Sequence, residues 1–234
     1  MRRLFAPLVG VSQKIRSKVN NIKYKVLNNQ IEHNFTISET DKPHDLEEIY
    51  RLRYDVYCNE CNYLPSDNYP DKREIDRYDN HSVHFKVIEK VNNNIIGTVR
   101  LVSSDPSGLP IEHDFGLGPE NGFLTRENTL EISRLVVKKN YRKIKNHGAL
   151  LGILKAIFHY CNQNNYRYLV AAIDKNVFNM LKRFGFSFEI LAPSKFYMGS
   201  ESVPVRINLD NESMWLKIVN PGFWYFLNSK NGKT

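Results

Sequence analysis

The chain predicts an α/β (α+β) fold built on a mixed, mainly antiparallel central sheet with helices on its faces. Three observations carry that expectation: a hairpin of two β-rich runs, a strand–helix–strand unit after it, and further short strands beyond a second helix. With 234 residues the chain is sized for one substantial core rather than two.

Pro43 and Asp45 introduce a helical rhythm in Leu46, Ile49, Leu52, Arg53, Val56 and Tyr57, which runs to about Cys61. A polar loop follows and ends in the acid cluster Glu74–Asp79; its length points to function. His84–Val91 and Ile95–Val102 are β-rich and joined by Asn92-Asn93-Asn94, residues that tolerate positive φ, so they should pair antiparallel. Residues 103–128, rich in Gly, Pro, Asp and Asn, read as a second excursion that could cover a site.

Leu130–Val137 is then a strand, Gly148–Cys161 an apolar helix and Tyr168–Ile173 a strand, together a right-handed βαβ unit. Asn176–Phe184 is a short helix closed by Gly185. Segments 187–191, 195–198 and 203–208 read as strands, and 212–227 as an aromatic-rich stretch of helix or coil.

Charge divides the chain unevenly. Residues 1–31 hold seven of the 33 bases and no acid, leaving 26 bases against 25 acids in the remainder. The net charge of +8 therefore belongs mostly to an N-terminal arm, and the near-neutral body gives no case for nucleic acid. In a helix, Leu4, Leu8, Val11, Ile15, Val19, Ile22 and Val26 would share one stripe opposite the cations. That leaves open a helix packed on its own domain, a solvated arm, or peripheral contact with a membrane surface or acidic partner. The expected division is an arm at 1–31, a catalytic domain at 32–209 and an extension at 210–234.

No apolar run approaches the roughly 20 residues that span a bilayer, and Pro7 interrupts the short apolar stretch near the start, which fits poorly with a secretory signal. Three cysteines make no disulfide framework, so a cytoplasmic location is expected. Cys58 and Cys61 have the spacing of half a zinc site without a second pair, and they read as helix packing rather than metal ligands, as does Cys161. No metal site is expected.

Acids and arginines recur at the ends of apolar segments. Glu74, Asp76 and Asp79 place three carboxylates within six residues, and Arg53, Arg100 and Arg134 could hold them by paired hydrogen bonds. An acid left without such a partner could serve as a base. On a regular strand Glu131 and Ser133 face one side and Arg134 the other, unless a bulge intervenes and turns backbone N–H groups toward a ligand carbonyl. Lys138, Lys139, Arg142, Lys143, Lys145 and His147 precede the helix start at Gly148, an arrangement suited to a phosphate.

Read together, Arg53–Cys58, Glu74–Asp79, His84-Phe85, Gly97–Leu101 and Glu131–Leu135 resemble, in order, the motifs of GNAT-like acyltransferases of the autoinducer-synthase group. Within it the chain looks most like long-chain N-acyl amino acid synthases and PEP-CTERM/exosortase-associated acyltransferases. The resemblance covers roughly residues 35–208. It implies a GNAT-like sheet and transfer of a fatty acyl group from the phosphopantetheine thioester of acyl carrier protein to an amine, without a tightly bound cofactor. Acyl-coenzyme A is the alternative donor, and an amino acid or another small amine the acceptor.

Carried over, Glu74, Asp76, Asp79, Arg53, Arg100, Glu131 and Arg134 match the group's charged catalytic network, with Glu74 the candidate base and Glu131 the alternative. Tyr57, Phe85, Ser133, Leu135, Val137, Arg142, Lys145 and Gly148 are the expected substrate-binding residues. The chain departs from the group twice. The glycine-rich pyrophosphate loop of coenzyme A users is thinned to Arg142–Ala149, and Asn62-Tyr63-Leu64 stands where the homoserine-lactone branch carries tryptophan, which argues against S-adenosylmethionine.

Overall fold

Alternating apolar residues put strands in one sheet, described here in a computed structural model over residues 22–103, 108–119, 126–142 and 147–229. The strands are β1 (Phe35–Thr40), β2 (Ser82–Glu89), β3 (Asn94–Ser103), β4 (Thr129–Val137), β5 (Tyr168–Asp174), β6 (Glu189–Ile190), β7 (Lys195–Tyr197) and β8 (Ser200–Asn208). Their order is β1-β2-β3-β4-β5-β8-β6, with β7 also on β8. Among the described strands only β4 and β5 pair parallel, as the connecting helix requires. The helices are α1 (residues 22–34), α2 (Pro43–Tyr54), α3 (Pro110–Phe115), α4 (Gly148–Gln163), α5 (Lys175–Phe184), α6 (Leu209–Val219) and α7 (Pro221–Asn228).

Local chemistry sets several boundaries. Pro43, with its φ fixed near helical values and no N–H to satisfy, opens α2, which continues as a π-helical turn over Asp55–Glu60. Asp174 caps α5 by accepting the N–H groups of Asn176 and Val177, and Gly185 ends it at φ 106°. Parallel pairing of β4 with β5 covers only Thr129–Glu131 against Tyr168–Val170. Beyond it the strands part.

The two sheet faces do different work. On one, Val87, Val99, Leu101, Leu130 and Leu169 meet Leu151, Ile153, Ile157 and Cys161 of α4, and each fully buried aliphatic side chain contributes about 1.5–3 kcal/mol. On the other, Ile49 and Leu52 of α2 and Val56 of the π-helical turn pack against Ile95 and Val136. The arm and the C-terminal extension both feed the first core, through Tyr24, Leu27 and Ile31 of α1 and Leu216, Phe223, Phe226 and Leu227 of α6 and α7.

Three features depart from expectation. β1 lies in residues read as part of no element, and α3 sits inside the excursion at 103–128. In α1 the inward stripe is Tyr24, Leu27 and Ile31, while Ile22 and Val26 face outward, because the helix turns its aromatic residue to Phe223 and Phe226. The part of the expected stripe before Ile22 lies outside the described residues.

Candidate active site

The arginines reach the site from a helix and two strands, and three of the acids from one loop. Arg53 comes from the last turn of α2, Arg100 from β3, Ser133 and Arg134 from β4, and Glu74, Asp76 and Asp79 from the loop leading into β2. Six of them close a ring in which every acid touches two arginines and every arginine two acids. Arg53 donates from Nε to Glu74 at 2.6 Å and from Nη1 to Asp79 at 2.6 Å. Arg134 holds the other side of Glu74 at 3.0 Å and donates to Asp76 at 2.8 Å. Arg100 completes the circuit with Asp76 at 3.0 Å and Asp79 at 3.1 Å.

Three charges of each sign cancel, and Arg53, Arg100, Glu74 and Asp79 are buried. Burial works against ionisation of Asp79, but hydrogen bonds and charge from Arg53, with Arg100 beside it, hold it well below the usual carboxylate range. Asp76 is lowered for the same reasons, through Arg100 and Arg134. His84, paired across the strands with Arg100, sits under the ring; its Nε2 lies 3.2 Å from the Asp79 carbonyl, and burial keeps its pKa low.

A β-bulge makes the ring reachable from β4. Thr98 pairs with Val136 but Arg100 with Ser133, so β4 carries one extra residue there, and Arg134 takes φ 50°. Regular alternation would send Ser133 and Arg134 to opposite faces. The bulge brings both to one: Ser133 Oγ accepts from Arg100 Nε at 3.0 Å while Arg134 bridges Glu74 and Asp76.

Glu131 is different. It is buried on β4, receives the backbone N–H of Ile111 at 2.8 Å, and makes no ion pair with any of the described residues. Burial pushes its pKa up to about 8, although the Ile111 hydrogen bond and the charge of Arg100 pull the other way.

Where β4 and β5 part, a cavity of about 360 Å³ opens, lined by Tyr57, Tyr63, Leu135, Val137, Val177 and Met180 among others, with Arg142 and His147 at its side. Tyr57, Leu135, Val137 and Arg142 thus meet in one place. Burial raises the Tyr57 phenol to about 12, so it stays protonated. Arg142 is tied to the Val137 carbonyl at 2.8 Å and to Glu60.

Other expected substrate-binding residues fall elsewhere. Phe85 lies in the core on the opposite sheet face, edge-on to Tyr160 at 5.8 Å, because His84 beside it takes the side facing the ring. Gly148 is buried with its Cα toward Ile31 and Phe35, so it can offer a ligand only backbone. Lys145 lies outside the described residues. The three cysteines are free, and among the described residues no cluster of three or more His, Cys, Asp or Glu is placed to hold a metal.

The structure also brings in residues that the sequence reading passed over. Arg134 Nη1 lies 3.0 Å from Met198 Sδ, and Tyr197 Oη donates to Asp114 at 2.5 Å, joining the β7–β8 hairpin to α3 close to Glu131. Gly199, at φ 80°, lets the hairpin tip abut Tyr63, where any Cβ would stand 2.4 Å from the Tyr63 backbone. Two signals in the sequence could have exposed these elements: Pro110 and Gly116 frame α3, and Met198-Gly199 has turn character.

Residues 52–151, which carry all six residues of the ring, match the family model described as an acetyltransferase (GNAT) domain. The structure superposes on the AHL synthase LasI with a TM-score of 0.62 at 21% identity, covering 80% of this chain and 94% of that one. The chain has an autoinducer-synthase-like GNAT fold.

Two further solved structures share this GNAT fold. FeeM, an N-acyl amino acid synthase from uncultured soil microbes, superposes with a TM-score of 0.61 at 12% identity over 77% of this chain and 93% of that one. BjaI, a CoA-dependent acyl-homoserine lactone synthase solved with SAM and isopentyl-CoA, gives 0.60 at 18% identity over 75% and 82%. No curated protein matches the sequence.

Proposed function

We propose that this GNAT-fold chain is an N-acyltransferase that moves a fatty acyl group from the phosphopantetheine thioester of acyl carrier protein to the amine of an amino acid or related small molecule. One observation carries the reading: of the four acids gathered here, Glu74, Asp76 and Asp79 are each held by two arginines, and Glu131 by none of the described arginines. An acid with its lone pairs free of cations and a pKa near 8 is matched to taking a proton from an ammonium group.

The acceptor's N–H proton passes to Glu131, and the freed amine attacks the thioester carbonyl. Negative charge grows on the carbonyl oxygen, where backbone N–H groups released from the ladder by the Arg134 bulge are suited to receive it. The C–S bond then breaks, and the second proton carried by the attacking nitrogen passes to the departing thiolate, leaving an amide and a free thiol. No covalent enzyme intermediate is needed. The neutral ring, in this account, is scaffold: it fixes β4, α2 and the loop at 74–79 around the reacting groups.

The apolar cavity between β4 and β5 suits the phosphopantetheine arm and the start of the acyl chain, while Arg142 at its side, with Lys138 and Lys139 a few residues before it in the chain, suits the acidic surface of a carrier protein. FeeM, an N-acyl amino acid synthase by name, supports the choice of acceptor. The test supplies purified protein with acyl carrier protein thioester or acyl-coenzyme A, each with pooled amino acids, and reads amide products by mass spectrometry. Product from the carrier protein alone supports the full reading; product from coenzyme A alone replaces the donor, as in the CoA-dependent BjaI; no product from either overturns the activity.

A further inference from the structure

Apolar side chains are exposed in an unusual concentration on one flank. Burial of Leu209, Glu212 and Leu216 fixes the inward face of α6, so Met214 and Ile218, one turn apart, point straight out with 63% and 77% of their surface open. Trp215 and Val219 flank them. On α1, burial of Tyr24, Leu27 and Ile31 leaves Ile22 and Val26, also one turn apart, pointing outward.

The two helices converge. Asn220, at the end of α6, donates to Tyr24 Oη at 3.1 Å and to the Phe184 carbonyl at 2.9 Å, and Trp215 Nε1 donates to the Gly185 carbonyl at 3.0 Å. The last turn of α5, with exposed Lys182 and Arg183, therefore adjoins the same flank. Lys217 on α6 and Lys23 and Lys25 on α1 add three more exposed cations. Against these five stand Asp210, the one exposed acid of α6, and the partly buried Glu32 of α1, which accepts a hydrogen bond from Asn28 at 2.7 Å.

Exposed aliphatics, a tryptophan whose ring lies at the surface, and a surround of lysine and arginine make a surface fitted to the interfacial layer of an anionic bilayer. We infer that the flank formed by α6, the end of α5 and α1 docks the protein on anionic membrane surfaces, with Trp215 and Ile218 entering the interface. Trp215 and Ile218 line neither the ring nor the cavity, and the inference does not depend on the proposed activity.

The full chain mixed with phosphatidylcholine vesicles, with and without phosphatidylglycerol, should float with the anionic vesicles and lose most of that binding in high salt. A double variant, Trp215→Ser with Ile218→Ser, alters two exposed positions and should keep its circular dichroism while losing at least tenfold in vesicle affinity. Trp215 and Trp224 are the two tryptophans, so in a Trp224→Phe chain the emission of Trp215 should shift to the blue on anionic vesicles alone. Absence of vesicle binding overturns the inference. So does binding unchanged by the double variant, which would place contact in residues 1–21, or self-association of the wild type that the double variant abolishes, which would make the flank an interface between copies.

Discussion

The Glu131 carboxylate receives the Ile111 backbone N–H at 2.8 Å and stands outside the ring that pairs Glu74, Asp76 and Asp79 with three arginines. That separation assigns different work to acids that look alike in the sequence, and the two kinds of variant should behave differently.

Glu74→Gln removes a charge held by both Arg53 and Arg134 in a buried site. Leaving a buried cation short of its partner costs about 3–5 kcal/mol, enough to lower the melting temperature of a domain this size by roughly 6–20 °C. Calorimetry on this variant should show that drop, with lost activity following from lost structure. A Glu74→Gln protein that is inactive yet as stable as wild type would return Glu74 to the role of base.

Stability should fall with pH at both ends of the range, for opposite reasons. Asp79 and Asp76 have folded pKa values below their unfolded ones, so their contribution is present above about pH 4 and is lost as the pH falls further. Glu131, raised to about 8, and Glu212, raised to about 7 chiefly by burial, bind protons more tightly folded than unfolded. Their effect is a decline in stability as pH rises from the usual carboxylate range toward 8. Urea denaturation across pH 3–9 checks both limbs, and Glu131→Gln should flatten the upper one.

Filling the cavity should act on the donor alone. Met180 is half-buried on α5 and lines the space between β4 and β5, so Met180→Trp intrudes there with little loss of packing. The expected outcome is a tenfold or larger rise in the KM for the thioester, an acceptor KM within about twofold, and a melting temperature within about 3 °C of wild type.

Tyr197→Phe breaks the bond to Asp114 that joins the β7–β8 hairpin to α3. Since this junction stands close to Glu131, the acceptor's KM should rise while the thioester's does not. Steady-state kinetics with each substrate varied in turn makes the distinction.

Much of this arrangement was legible in the residues. The hairpin of β2 and β3, the β4–α4–β5 crossover and the Gly185 stop all follow from local pattern, because each is specified by residues adjacent in sequence. Spacing also marked the acids and arginines of the ring, and the conflict between Ser133 and Arg134 pointed to the bulge. Pattern could not say which acid would be left unpaired, since that depends on four separate segments meeting. β1 escaped notice because Phe35–Thr40 has just two apolar residues, Phe35 and Ile37, among polar ones, and α3 because Pro110 and Gly116 look like loop when they are its two ends. Phe85 is expected in the site through the resemblance, in the motif His84-Phe85, although strand alternation sends the two to opposite faces.

The central claim is that Glu131 accepts the proton from the amine, and the pH dependence of kcat/KM for acyl transfer, wild type against Glu131→Gln, tests it most directly. The account predicts a wild-type rate that climbs with pH to a plateau above about 8, and a Glu131→Gln rate lower by about 10²–10⁴ that lacks this limb, at a melting temperature close to wild type near pH 7. A Glu131→Gln enzyme with full activity and an unchanged profile would contradict it.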